Sequence, residues 1–207
     1  MDQIAGIAHR PEGSPDGLVV LTHGAGGSRE SPLLIAICDE WARRGWLAVR
    51  YNLPFRRRRP KGPPSGSSAA DRAGILEAVT AVRRLMDKPN LAVVAGGHSY
   101  GGRLTSMAVA DDGLDLDALT LFSYPLHPPG KPERARTEHL PRITVPTVFT
   151  HGTADPFGSI EDLRPAAALI PATTDIVEIH GARHDLSSKK LDVPALAHRS
   201  DPDRTSR

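Results

Sequence analysis

Short apolar runs alternate with longer helical patterns along almost the whole chain, and that alternation narrows the fold more than any other feature. "GLVVLTHG" (17–24), "WLAVRYNLPF" (46–55), "LAVVAGG" (91–97), "LDALTLFSYPL" (116–126), "VPTVFTHG" (145–152) and "TDIVEIHG" (174–181) read as strands, with a further short one suggested near "DQIAGIAHR". Helical patterns fall between them at 32–44, 69–87, 103–110 and 160–170, and a last helical stretch lies near 186–198. In the second of these, Ile75, Val79, Val82 and Met86 recur at helical spacing and define one apolar face. Strand and helix in turn predict an α/β fold, a mostly parallel sheet covered by helices on both faces. Ligands in such sheets bind beyond the carboxyl ends of the strands.

At 207 residues the chain fits one domain, expected over 1–200. The closing "AHRSDPDRTSR", 201–207 above all, reads as a frayed tail. Lys plus Arg number 26 against 24 Asp plus Glu, and a net charge of +2 favours no general electrostatic partner. Only "RRRRPK" (56–61) approaches the concentrated basic face of a nucleic-acid binder. No stretch approaches the ~18 apolar residues of a membrane span, and the N-terminus has no apolar signal core. A lone cysteine, Cys38, rules out an intramolecular disulfide, and its helical setting predicts a buried, inert thiol. These features predict a soluble, cytoplasmic protein with no nucleic-acid or membrane partner.

Gly97-His98-Ser99-Tyr100-Gly101 stands between the strand "LAVVA" and a helical pattern, the setting of a G-x-S-x-G nucleophile elbow. A sharp strand-to-helix turn crowds the backbone, and glycines two residues either side of the serine remove the collision. A serine hydroxyl is a poor nucleophile until a base takes its proton, and the base needs an acid to orient it. The chain supplies both, in the order Ser, Asp, His. Asp155 lies in the turn "HGTADPFG" and His184 in "ARHDL", each just past a strand's carboxyl end. The glycine-rich loop "THGAGGSRE" (22–30) offers backbone N–H groups to a developing oxyanion. The expected donors are the N–H groups of Tyr100 and Ala25, with Gly26 as second choice. A phosphate cradle would need the Lys-Ser/Thr that this loop lacks, so no cofactor is expected.

With those residues the chain resembles the α/β-hydrolase superfamily over nearly its whole length. It is most similar to the small, uncapped, dienelactone-hydrolase-like branch, which includes relatives of a testis-expressed protein and of a nonspecific-lethal complex subunit. The stretches that carry the resemblance are "LTHGAGG", "RYNLPFRRRRP", "GGHSYGGR", "SYPLHPPGKPERARTEHLP" and "HGTADPFG". It implies Ser99, Asp155 and His184 as a catalytic triad, the set that the chemistry also selects, acting on a small-molecule ester or thioester.

Two rival readings exist. His151, Asp155, His180, His184 and Asp185 would suffice as metal ligands on paper, but Gly181 interrupts any helix that would align the histidines, and no H-E-x-x-H occurs. No metal is therefore expected. The other rival is a non-catalytic binding or scaffold module that keeps the fold. Residues 127–144 are too short for a helical cap and hold at most one short helix, "RARTEHL", which predicts an open, shallow pocket suited to short acyl groups. "FRRRRPKG" begins on the same sheet edge as Ser99. Arg57 and Arg58 are thus expected at the mouth, gripping an anionic substrate group, or else belong to a solvated basic loop. Tyr124 and His127, in "SYPLHPP", join them as candidate substrate contacts.

Overall fold

A computed structural model describes residues 1, 4–86, 90–187 and 191–202. Its strands are β1 (Gly6–His9), β2 (Gly17–Thr22), β3 (Trp46–Tyr51), β4 (Ala92–His98), β5 (Ala118–Phe122), β6 (Thr147–Gly152) and β7 (Thr174–Ile179). They form one sheet in the order β1-β3-β2-β4-β5-β6-β7. All neighbours run parallel except β1, which pairs antiparallel with β3. The short strand suggested near residues 2–10 is β1; residues 2–3 lie outside the described residues.

Six α-helices accompany them among the described residues: α1 (Pro32–Arg43), α2 (Pro54–Arg58), α3 (Ala69–Arg83), α4 (Tyr100–Asp111), α5 (Ile160–Ala167) and α6 (Val193–Ser200), the last following β7. Successive strand residues point to opposite faces, and β2 shows why an uninterrupted apolar run is needed here. Leu18 and Val20 pack into one core with Ile75 and Val79 of α3 and Leu104 of α4. Val19 and Leu21 pack into the other with Leu34, Ile37 and Trp41 of α1 and Leu196 of α6. Cys38 is fully buried in that second core, and burial pushes its thiol up to about 12. No helix among the described residues is long and apolar enough to cross a membrane.

Five sequence expectations need correction. The strand expected over 46–55 stops at Tyr51, and Pro54 opens α2 instead. Proline is pre-set for a first helical position, and the carboxylate of Asp71 accepts the Phe55 N–H at 2.9 Å. "RARTEHL" is not a helix; the β5–β6 connection holds only 3₁₀ turns at Pro132–Arg134 and Leu140–Arg142, and no cap. The helix expected to 87 ends at Arg83, with Asp87 outside the described residues. The stretch expected from 186 becomes helical only at Val193, where Asp192 accepts the Ala195 N–H, and residues 188–190 lie outside the described residues. That helix also claims part of the expected tail: Leu196, Ala197, Ser200 and Asp201 are buried, and Ser200 Oγ meets Thr120 Oγ1 at 3.1 Å. Residues 203–207 lie outside the described residues.

Candidate active site

Ser99 joins β4 directly to α4 in a left-handed conformation, φ 50°, ψ −116°. Such a conformation costs a non-glycine residue on the order of 1–3 kcal/mol and persists only where the surroundings hold it. Here the Ser99 N–H donates to Phe122 O at 2.8 Å and its carbonyl accepts from Arg103 N–H at 2.9 Å. The flanking glycines are required by close approach. A Cβ on Gly97 would lie 2.3 Å from Thr22 O, and one on Gly101 would lie 2.5 Å from His23 O.

Three loops that leave the carboxyl ends of β4, β6 and β7 bring Ser99, Asp155 and His184 together. His184 Nε2 lies 2.8 Å from Ser99 Oγ, and its Nδ1 lies 2.8 and 3.0 Å from the two Asp155 oxygens. Burial raises the Asp155 carboxyl, but hydrogen bonds from His184 and the Phe157 N–H outweigh it, and the group is held below its ordinary value. An ionised carboxylate only accepts, so Nδ1 carries the hydrogen and the Nε2 lone pair faces the serine. The arrangement can therefore draw the proton from Ser99 Oγ. Two residues that sequence reasoning missed hold His184 in place, one at its backbone and one at its ring. His98 Nε2–H donates to the His184 carbonyl at 2.6 Å, and Phe157 stacks on the His184 ring at 4.1 Å. The only sequence signal for either is its position inside "GHSYG" and "ADPFG".

Ala25, Gly26 and Tyr100 line the same cavity as Ser99. The Tyr100 N–H sits in the first turn of α4, where amides have no intrahelical partner. The Ala25 and Gly26 amides form no hydrogen bond among the described residues. A trans peptide aims its C=O and N–H in opposite directions, so whatever grips a carbonyl also aims the next amide. The Gly24 carbonyl accepts from His23 Nδ1 at 2.8 Å, which sets the Ala25 N–H. The Ala25 carbonyl accepts from Arg56 Nη2 at 2.9 Å, which sets the Gly26 N–H, while Arg56 Nε donates to Gly27 O at 2.7 Å. Burial lowers His23 to about 4, and the neutral ring accepts the Leu53 N–H on Nε2 at 3.2 Å.

Arg56 thus takes the interior position in the arginine run, and Arg57 and Arg58 do not line the Ser99 cavity. The reason is helical phase: α2 turns each successive side chain by about 100°, so with Arg56 facing the loop the next two fall elsewhere. They flank a separate groove against Ala70, Ala73 and Gly74 of α3, and Arg57 lies 3.9 Å from Glu77. Tyr124 is also corrected. Its side chain is core, packed edge-on to Phe149 with its hydroxyl donating to Arg136 O at 2.6 Å. His127 donates to Pro128 O and lines a different pocket beside α5. Among the suggested metal ligands, His151 is bound to Gly158 O at 2.9 Å and His180 is exposed. No group of three or more His, Cys, Asp or Glu among the described residues is disposed to hold a metal ion. The cavity beside Ser99 measures about 890 Å³, near the top of the range for small-molecule sites.

Residues 15–198 match the family model described as "Alpha/beta hydrolase domain". The chain belongs to that family. Solved structures of similar fold include Est1E from Butyrivibrio proteoclasticus, solved with ferulic acid, at 16% identity and a TM-score of 0.78 over 98% of this chain and 95% of that one. A dienelactone hydrolase from Anabaena variabilis aligns at 22% identity and a TM-score of 0.71, covering 94% and 87%. A thermophilic esterase from Thermogutta terrifontis, solved with butyrate, aligns at 20% and 0.71, covering 97% and 88%. At these identities the likeness is one of fold.

Proposed function

We propose that this α/β hydrolase is a serine hydrolase that cleaves a small carboxylic ester or thioester through Ser99, His184 and Asp155. The reading rests on one observation above all, the unbroken hydrogen-bonded line from the Asp155 carboxylate through His184 to Ser99 Oγ. Ser99 Oγ attacks the acyl carbon while its proton passes to His184 Nε2. The carbonyl oxygen takes the negative charge and is met by the N–H groups of Tyr100 and Ala25, with Gly26 beside them. Collapse of the tetrahedral species breaks the bond to the alcohol or thiol, which leaves with the proton from His184. Water then repeats the sequence in reverse on the acyl-Ser99 ester, with His184 first as base and then as acid, and the acid is released. Each oxyanion donor contributes about 2.7–4 kcal/mol at the transition state.

That a neighbour of the same fold, from Thermogutta terrifontis, is described as an esterase is consistent with this assignment without naming the substrate. A fluorophosphonate probe tests it. Covalent labelling at Ser99 that is lost in Ser99→Ala is expected; a folded protein that resists labelling would leave a binding or scaffold module.

A further inference from the structure

Ser99 shares its cavity with two guanidiniums that no carboxylate among the described residues neutralises. Arg103 stands one turn into α4, and helical side chains lean back toward the N-terminus, here toward the elbow. Arg136 comes from the irregular β5–β6 connection, where its Nη1 donates to Pro125 O at 3.1 Å. Both line the cavity. Neither forms an ion pair among the described residues, whereas Arg29, Arg50, Arg72 and Arg142 each do. The Nε of Arg103 is buried and has no hydrogen-bond partner.

Nearby groups register the uncompensated charge. Arg136 is pushed below its ordinary value by burial and then by Arg103. His139, whose Nε2 meets Ser106 Oγ at 2.7 Å, is lowered to about 4 by burial and then by Arg103. The carboxylate that does line the cavity, Asp185, is engaged by the N–H and hydroxyl of Ser187. Much of the remaining wall is apolar, with Pro32, Leu33 and Ala36 at α1 and Phe157 and Leu186 beside His184.

Two like charges partly withdrawn from water in one cavity are unfavourable unless an anion joins them. We infer that Arg103 and Arg136 form an anion subsite, and that the natural substrate is an ester with an apolar body and a carboxylate remote from the scissile bond. A singly charged, planar carboxylate fits the guanidinium fork and costs less to desolvate beside an apolar wall than a doubly charged phosphate. The cleaved bond rests on the serine-hydrolase reading; the held anion does not.

The experiment compares kcat/KM for esters matched in length. One pair is the 4-nitrophenyl monoester of glutaric acid against 4-nitrophenyl pentanoate; the other is 4-acetoxybenzoate against 4-tolyl acetate. In one pair the carboxylated member should be favoured by about 10-fold or more at low salt, with the advantage shrinking in ~0.5 M NaCl. Arg136→Gln and Arg103→Gln should bring that ratio toward one, and Arg57→Gln should leave it unchanged. Should Arg103→Gln fail to fold, Arg136→Gln, in the irregular β5–β6 connection, carries the test. A wild-type ratio near one in both pairs, or a preference that survives both substitutions, overturns the subsite. If no ester is cleaved, the serine-hydrolase reading fails separately, and calorimetric titration of Ser99→Ala with the same esters still decides. Tighter binding of a carboxylated ester, lost on adding Arg136→Gln, sustains the subsite; equal binding of charged and neutral esters overturns it.

Discussion

The serine elbow and the arginine run lie at the same end of the sheet, but they are built on different terms. In the elbow, every residue from 97 to 101 is constrained by its immediate neighbours. Gly97 and Gly101 sit against the carbonyls of Thr22 and His23, and Ser99 is fastened at both ends of its peptide. In the run, four identical side chains receive different positions. Arg56 is buried and grips three carbonyls of two loops besides that of Arg59, whereas Arg57 and Arg58 are exposed. Steric closure assigns a role to each residue of a short motif. A repeat of long, flexible side chains is divided only by helix phase and by what stands opposite.

The largest effect expected is at the elbow. Ser99→Ala should lower ester kcat by about 10⁴-fold or more with the fold intact by circular dichroism, and His184→Ala should do nearly the same. The double variant should be no worse than either single one, because in the proposed mechanism the three groups act as a unit. Full activity in either single variant would break the elbow's half of the comparison.

Next comes acid. His23 ties the loop before α1 to the start of α2, and burial lowers its pKa from 6.5 to about 4. Between those values the unfolded chain binds a proton that the native state refuses, so stability falls as pH drops through that window. The loss is about 3 kcal/mol for His23. His139 adds a second such step, and His98 and His151 shift in the same direction, again first through burial. Urea midpoints should decline between pH 6.5 and 4.5; a flat profile would mean the tie between the two regions does not hold His23 neutral.

In the proposed mechanism the amides that Arg56 aims meet charge that exists only in the transition state, so Arg56→Ala should then lower kcat by roughly 100-fold with little change in KM. Arg56→Lys should rescue little, since an ammonium cannot bridge several carbonyls as a guanidinium does. Gly101→Ala should cost about 1–3 kcal/mol in urea unfolding, because its methyl presses on the His23 carbonyl. At the bottom of the scale, Arg57→Ala and Arg58→Ala should stay within about 0.5 kcal/mol of wild type and keep neutral-ester turnover. A loss at Arg57 equal to that at Arg56 would erase the division of the run.

The sequence by itself determined the succession of strands and helices, the elbow around Ser99, and Asp155 and His184 as its candidate partners. Strand periodicity, glycine spacing and a turn past a strand end belong to contiguous residues, and the parallel sheet gathers its strand ends on one edge. Tertiary structure alone decided that Tyr124 fills the core, that His98 holds the His184 backbone, and that Arg103 and Arg136 rather than Arg57 and Arg58 share the cavity with Ser99. Arg103 apart, which lies only four residues beyond Ser99, those outcomes join residues well separated in the chain. Arg56 meets Ala25 across 31 residues and His98 meets His184 across 86. Which way a long polar side chain turns depends on the carbonyls and charges that packing brings opposite it, and no local pattern in the chain encodes them.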